Sequence, residues 1–129
     1  MSSFKPEGYA SLSPYLIVDH AQELVDQLKG LFNATELRRF DRPDGTIAHV
    51  ELMLDDTVLM LSQSTDEFPS YTAVLHMYVA DARKTYAKAI ELGFNPLQEP
   101  MHHEDDPDIR GAFLDCCGNH WSVGTAVRQ

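Results

Sequence analysis

The chain has 129 residues, which is enough for one domain with a hydrophobic core but too few for two full ones. Twenty acidic residues against ten basic ones give a formal charge of −10. This balance argues against nucleic acid or an anionic membrane as a partner, because both bind through Lys and Arg. No apolar run is long enough to span a membrane, and the N-terminus lacks the features of a signal peptide. We therefore expect a cytoplasmic protein.

A short apolar strand followed by an amphipathic helix is predicted near the N-terminus. The strand lies in "PYLIVD", which begins at Pro14. Leu24, Leu28 and Leu31 then recur at three- and four-residue steps, as on the buried side of a helix. Three short strands are predicted next, separated by the turn formers "RPDG" and "DD". These strands are Glu36–Phe40, Ile47–Leu54 and Thr57–Ser62.

The same pattern returns 61 residues further along, where Val79 takes the place of Val18. A second strand and helix are again followed by three predicted strands. These strands are Asn95–Met101, Arg110–Leu114 and His120–Gly124. The chain is thus predicted to be a tandem β-α-β-β-β repeat within a single domain, residues 1–129. The modules cover about 12–64 and 73–125.

Two segments that look like sites are better explained as connections between strands. Cys116 and Cys117 are adjacent, so a disulfide between them would be strained, and no CxxC pair suggests zinc. With Gly118 and Asn119 they are predicted to form a hairpin turn, in which these last two residues adopt positive φ. The acidic stretch from His102 to Asp108 is expected to be an exposed loop.

Two such modules, the second closing on D-x-x-G-N-x-W, resemble the vicinal-oxygen-chelate superfamily, and especially its PhnB-like, glyoxalase/bleomycin-resistance-like group. The resemblance depends on "SPYLIVD" at Ser13, "DTVLMLS" at Asp56, "HMYVAD" from His76 and "DCCGNHW" at Asp115. It covers about residues 12–125. It implies an α+β fold in which both modules form a curved mixed sheet around a cavity, with the helices on the outer face.

Metal-dependent members of this superfamily hold their ion with four ligands, usually His and Glu, on the first and last strands of each module. Carried over to this sequence, the four positions fall on Ser13, Met60, Val74 and Ser122. These side chains do not make a site for a catalytic divalent ion. The resemblance therefore implies that this chain has no metal and no cofactor. An atypical centre of His49, Glu51 and His76 stays open as an alternative.

Strand alternation predicts which side chains line the cavity, because successive side chains point to opposite faces. Aliphatic residues such as Leu16, Leu59 and Val123, with Trp121, are expected to pack under the helices. The remaining residues of each strand are expected to face the cavity and to contact a ligand. This ligand-binding set is Tyr15, His49, Glu51, Met53, Met60, Ser62, His76, Tyr78, His120 and Ser122.

Several of these residues have a second interpretation that the sequence leaves open. His76 is also explained as a hydrogen-bonded interior histidine. His49 and Glu51 are either a base with its neighbour or a charge pair at a sheet edge. Tyr15 and Tyr78 either stack on an aromatic or cationic ligand or fill the floor of the cavity.

The predicted function is the binding of a small organic ligand in the cavity without a metal, as in bleomycin-resistance proteins. The alternative is a lyase, isomerase or dioxygenase. It would use a metal held by His49, Glu51 and His76, or one of the last two as a general base. A third possibility is a role in assembly or regulation. The resemblance also implies a homodimer.

Overall fold

The computed structural model describes residues 4–127 and divides the chain into two compact units, between Tyr71 and Thr72. Each unit contains one β-α-β-β-β module. The first module consists of β1 (Tyr15–Val18), α1 (Ala21–Phe32), β2 (Thr35–Asp41), β3 (Ile47–Leu54) and β4 (Thr57–Gln63). The second consists of β5 (Val74–Tyr78), α2 (Ala82–Glu91), β6 (Asn95–Met101), β7 (Asp108–Leu114) and β8 (His120–Ala126). Among residues 4–127, no helix is long and apolar enough to cross a bilayer.

Each module has its own four-stranded mixed sheet, so the expected sheet is divided between the two modules. The strand orders are β1-β4-β3-β2 and β5-β8-β7-β6. The first strand pairs in parallel with the last, and the other neighbours are antiparallel. This follows from the connections, because a helix carries the chain from the first strand to the far edge and short turns bring it back. The predicted α+β repeat is confirmed.

One face of the first sheet is covered by α1, as strand alternation predicts. The helix turns Leu24, Val25 and Leu28 inward, all fully buried. The covered sheet face is aliphatic and consists of Leu16, Val18, Val50, Leu52, Leu54, Leu59 and Leu61. Each such side chain contributes about 1.5–3 kcal/mol when it leaves water. The opposite face therefore remains for polar and aromatic residues.

The second module has a shorter helix with well-defined ends. At its start, the carboxylate of Asp81 accepts hydrogen bonds from the backbone N–H groups of Arg83 and Lys84, at 3.1 Å each. At its end, Gly93 has a φ of +94° and donates to Ile90 O, while Phe94 donates to Ala89 O. These two bonds form a Schellman motif, which stops the helix at this glycine. Trp121 is buried, as predicted.

A buried carboxylate organises the turn between β7 and β8. Asp115 accepts hydrogen bonds from Cys117 N at 2.8 Å, Asn119 N at 3.0 Å and Trp121 Nε1 at 2.8 Å. The side-chain amide of Asn119 also donates to Asp115, and its oxygen accepts from Ala73 N at 2.8 Å. The D-x-x-G-N-x-W motif thus joins this hairpin to the start of β5.

The structure corrects two details of the predicted connections. Gly118 has a φ of +81°, as expected, but Asn119 is not at positive φ and is fully buried, because its side chain bonds to Asp115. The acidic stretch is exposed through His102 and the next three residues, but it ends in a buried Asp108 that already belongs to β7. The Sγ atoms of the two cysteines lie 3.7 Å apart and form no disulfide.

We expect Asp115→Ala to destabilise the protein by about 3 kcal/mol, because it leaves several buried donors without their charged acceptor. Urea unfolding followed by circular dichroism measures this change. Asp105→Asn, on the exposed part of the acidic loop, serves as the control and should shift the free energy by less than about 0.5 kcal/mol. A loss below about 1 kcal/mol for Asp115→Ala would contradict the central role of this carboxylate.

Candidate functional site

The uncovered face of the first sheet carries a row of four side chains in register across all four strands. Tyr15 on β1 lies beside Met60 on β4, which lies beside Glu51 on β3. Arg38 on β2 completes the row next to Glu51. His49 projects from the same face, two residues before Glu51. These residues of β1, β3 and β4 therefore share one face of the first sheet.

Glu51 is the centre of a polar cluster on this face, although its side chain is only 6% exposed. Its Oε1 accepts a hydrogen bond from the hydroxyl of Tyr9 and lies 3.8 Å from Nε of Arg38. Its Oε2 lies 2.8 Å from Nε2 of His49. We call Tyr9, Tyr15, Arg38, His49 and Glu51 the Glu51 cluster. Tyr9 and His49 thus hydrogen-bond this carboxylate, and Arg38 forms an ion pair with it.

The surroundings of Glu51 favour its ionised form. Burial acts to raise the pKa of this carboxyl group, but hydrogen bonds from Tyr9 and His49 and the nearby positive charge of Arg38 outweigh it, so the pKa is lowered. The same hydrogen bond raises the pKa of Tyr9, because the hydroxyl must keep its proton to donate it. The cluster therefore holds one buried negative charge.

His49 connects this charge to Tyr15. Its Nε2 faces Glu51, and its Nδ1 lies 3.1 Å from the hydroxyl of Tyr15. The two rings are 5.4 Å apart, and the ring of Phe40 lies 6.4 Å from His49 on another side. The imidazole is therefore held between a carboxylate and a phenol, with aromatic rings beside it.

A cavity of about 340 Å³ adjoins the Tyr15 end of the cluster. Its wall is formed by β1, β3, β4, the turn before β3 and the segment after β4. The lining residues are Tyr15, Ile17, Arg42, Ala48, Ser62, Gln63 and Phe68. Arg42 is held in this wall by hydrogen bonds to Thr46 Oγ1 at 3.1 Å and Gln63 O at 3.0 Å. The wall thus combines aromatic and apolar groups with polar ones.

The second module presents a different set of groups on its uncovered face. Nδ1 of His76 on β5 lies 3.0 Å from Oγ of Ser122 on β8, and its ring packs edge-on against Tyr78 at 4.7 Å. Gly124 leaves room for this imidazole, since a Cβ there would lie 3.1 Å from the ring. His76 is exposed, so its interpretation as an interior histidine is wrong.

Tyr78 is hydrogen-bonded to a carboxylate rather than to an imidazole. Its hydroxyl donates to Oδ2 of Asp108 at 2.8 Å, and Arg110 donates to the same oxygen at 3.3 Å. The hydrogen bond to Asp108 raises the pKa of Tyr78, because it stabilises the protonated phenol. This tyrosine is therefore held in its neutral form.

The ten predicted site residues fall on both modules. The first module holds Tyr15, His49, Glu51, Met53, Met60 and Ser62, and the second holds His76, Tyr78, His120 and Ser122. Tyr15, His49 and Glu51 are connected directly, and His76 contacts both Ser122 and Tyr78.

Several residues of these clusters and of the cavity wall were not predicted as site residues from the sequence. Arg38 lies on a strand whose two faces are both largely polar, so alternation gave no signal for it. Tyr9 and Phe68 lie in segments without regular structure. Asp108 was assigned to an exposed loop, although its position next to an apolar strand could have placed it in β7.

The structure gives no support to the alternative metal centre. Among residues 4–127, no group of three or more His, Cys, Asp or Glu side chains is arranged to hold a metal ion. The oxygens of Glu51 already accept from Tyr9 and His49, so an ion would have to displace both.

Comparison with known proteins supports the fold assignment. No family model matches the chain. An uncharacterized protein of Mycobacterium bovis is 28% identical over 130 residues, covering 92% of this chain and 85% of that protein. Among solved structures, TioX from Micromonospora sp. ML1 matches with a TM-score of 0.77 at 16% identity, covering 92% of this chain and 99% of its own.

Two further structures match over most of their length. TnmS3, an antibiotic binding protein from Streptomyces sp. CB03234, gives a TM-score of 0.70 at 15% identity, covering 92% of this chain and 99% of its own. A member of the glyoxalase/bleomycin resistance protein/dioxygenase superfamily from Sphaerobacter thermophilus gives 0.69 at 16% identity, covering 88% and 94%. At these identities the likeness concerns the fold and not the ligand.

We expect Glu51→Gln to lower stability at neutral pH by about 1–2 kcal/mol, because it removes the charged acceptor of the cluster. The folded-state pKa of Glu51 lies below its ordinary value of 4.5, so its contribution is present above that pH. The contribution disappears as the pH falls through the lowered pKa. Unfolding free energy should therefore fall more steeply in acid for the unaltered protein than for the variant.

Urea unfolding between pH 3 and pH 7 measures this difference. Glu67→Gln removes a carboxylate from the exposed segment after β4 and serves as the control, which should keep the original pH dependence. Equal slopes for Glu51→Gln and the unaltered protein would show that the folded state does not favour ionised Glu51.

Proposed function

Because the chain has the vicinal-oxygen-chelate fold, we propose that it binds a small organic molecule without a metal ion. The observation that carries this proposal is the cavity of about 340 Å³ beside the Glu51 cluster. Small-molecule pockets commonly have volumes of about 300–1,000 Å³ and combine apolar walls with a few placed polar groups. This cavity meets both conditions.

The lining indicates the class of ligand. Tyr15 and Phe68 offer aromatic surfaces and Ile17 an aliphatic one, whereas Ser62 and Arg42 are hydrogen-bonding groups. Such a wall suits a flat, partly aromatic molecule with polar substituents at its edge. TnmS3, which has the same fold, is an antibiotic binding protein, and this supports the same class of function here.

Binding without a metal is supported by the residues at the superfamily's ligand positions. These positions hold Ser13, Met60, Val74 and Ser122, which lack the imidazole and carboxylate groups that hold a catalytic divalent ion. Glu51, a buried carboxylate on the uncovered face of the first sheet, already accepts hydrogen bonds from protein donors. The proposed ligand is therefore held by the protein's own side chains.

The predicted ligand-binding residues are kept as part of this proposal. Those of the first module adjoin the cavity or the Glu51 cluster, and they would contact the ligand directly or orient a residue that does. Those of the second module, His76, Tyr78, His120 and Ser122, form a second uncovered surface. A cytoplasmic location also remains part of the proposal.

We expect Phe68→Ala to weaken aromatic ligands about tenfold, because it removes one aromatic wall of the cavity. A thermal-shift screen of small aromatic molecules, run on protein treated with EDTA, first identifies ligands. Titration calorimetry then compares affinities with Phe4→Ala, which removes an exposed ring away from the cavity and should bind as the unaltered protein does. Ligands that require added metal, or equal affinity for both variants, would contradict the proposal.

We also propose a homodimer, as the resemblance implies. Val74 and Tyr78 are 76% and 59% exposed on the uncovered face of the second sheet. Large apolar side chains exposed together are typical of protein interfaces. Light scattering during gel filtration should give about twice the chain mass of 14.5 kDa. A mass of one chain at micromolar concentration would contradict the homodimer.

A further inference from the structure

We propose that Tyr15, His49 and Glu51 form a metal-free proton relay, which makes Tyr15 a general base toward a molecule in the cavity. The molecule is a small organic compound with a weakly acidic proton, such as that of a phenol. This activity goes beyond ligand binding. The proposed activity depends on the hydrogen bonds that connect these three side chains and not on the identity of a particular ligand.

The relay begins at Glu51, whose charge is buried and whose two carboxylate oxygens face different partners. The hydroxyl of Tyr9 and the guanidinium of Arg38 lie on its Oε1 side, and only Oε2 faces His49. An ionised carboxylate can only accept hydrogen bonds. Nε2 of His49 must therefore carry a hydrogen, which it donates across 2.8 Å.

This arrangement determines whether the other ring nitrogen of His49, Nδ1, donates or accepts a hydrogen bond. In a neutral histidine, one ring nitrogen carries hydrogen and the other is an acceptor. Because Nε2 donates to Glu51, Nδ1 of His49 is the acceptor. The Tyr15 hydroxyl, 3.1 Å away, therefore donates its only hydrogen to His49. The phenol is bonded to a base that is itself backed by a carboxylate.

Tyr15 is the end of the relay that a ligand can reach. Its side chain lines the cavity, and the residue is 41% exposed. Because the hydroxyl hydrogen points to His49, lone pairs of the oxygen are available to other donors. Glu51 and Arg38 lie at the far end of the relay, away from the phenol, and Arg42 lines the cavity together with Tyr15.

The step is a pair of proton transfers. The ligand gives its acidic proton to the oxygen of Tyr15, while the original proton of Tyr15 passes to Nδ1 of His49. The products are a ligand anion, a neutral Tyr15 and an imidazolium that Glu51 stabilises. The reverse transfers return a proton to the ligand. The net transfer runs from a phenol to an imidazole, which is a weaker base than the phenolate that is left, and the buried charge of Glu51 offsets part of this difference by stabilising the imidazolium.

Tyr71 provides an internal control, because its hydroxyl has no ionisable base beside it. It donates to the backbone oxygen of Tyr15 at 2.6 Å. Tyr71 is 51% exposed, more than Tyr15 at 41%. Exposure alone thus predicts that Tyr15 reacts more slowly than Tyr71. The relay predicts that it reacts faster.

Labelling with an aryl sulfonyl fluoride tests this difference in tyrosine reactivity, and it does not require that the ligand be known. The phenol oxygen attacks sulfur, the S–F bond breaks, fluoride leaves, and the phenol proton passes to the neighbouring base. Mass spectrometry of digested protein gives the labelling rate of each tyrosine. At pH 7.5 we expect Tyr15 to react about 100-fold faster than Tyr71, a typical effect of general-base assistance.

The matched variant is His49→Gln, which keeps a side chain able to hydrogen-bond but cannot take up a proton. We expect its Tyr15 rate to fall to that of Tyr71 and then to rise about tenfold per pH unit, because labelling now requires free phenolate. The unaltered protein should show a shallower pH dependence. An unchanged rate at Tyr71 shows that the variant is folded.

Two results would overturn the relay. One is a Tyr15 rate no higher than that of Tyr71, and the other is fast Tyr15 labelling that survives His49→Gln. Nitrogen NMR of the unaltered protein is a second measurement that needs no variant, and it should find hydrogen on Nε2 of His49. Hydrogen on Nδ1 alone would also overturn the relay. Fast Tyr15 labelling with no hit in the ligand screen would contradict the binding proposal alone.

Discussion

In each module, the first backbone N–H of the helix donates a hydrogen bond to a side chain on the last strand of that module. The first helical N–H of α1, from Ala21, donates to the side chain of Gln63 on β4, and that of α2, from Ala82, donates to Thr125 on β8. The same two side chains donate to backbone oxygens at the end of the preceding first strand. These bonds join the beginning and the end of each module. They also support the parallel pairing of first and last strands, on which the register of the whole sheet depends.

That register brings the candidate site together. Tyr15 on β1 lies beside Met60 on β4 only because these two strands pair. Glu51 lies on the other side of Met60, on β3. The opposite face is covered by α1, and on this face the polar residues lie beside apolar ones such as Val58, which is fully buried. A carboxylate can be buried there because Tyr9 and His49 hydrogen-bond it and Arg38 supplies a positive charge 3.8 Å away. The same donors give the imidazole one defined orientation, so the polar cluster is a consequence of how Glu51 is buried.

The two modules share one backbone arrangement but carry different side-chain networks. The position of Tyr15 on β1 corresponds to that of His76 on β5, and each contacts a neighbour on its own sheet. In the first module the neighbouring base is itself backed by a carboxylate. In the second, small residues surround the histidine, and a carboxylate holds Tyr78 protonated. Repetition of the backbone has therefore not preserved the side-chain networks, since each depends on residues that differ between the modules.

Periodicity in the sequence was sufficient to predict the repeat, the order of the helices and strands, and the aliphatic face of the first sheet. These features depend on neighbours along the chain, because a helix or strand repeats its buried positions at a constant interval. The six site candidates of the first module were also chosen in this way, and their role stays a prediction. Tyr9, Arg38 and Asp108 were not found as site residues, because they join their clusters through contacts between segments distant in sequence. Only the tertiary structure determined that Glu51 is buried among donors and that His49 connects it to Tyr15, since hydrogen-bond partners across strands leave no periodic signal.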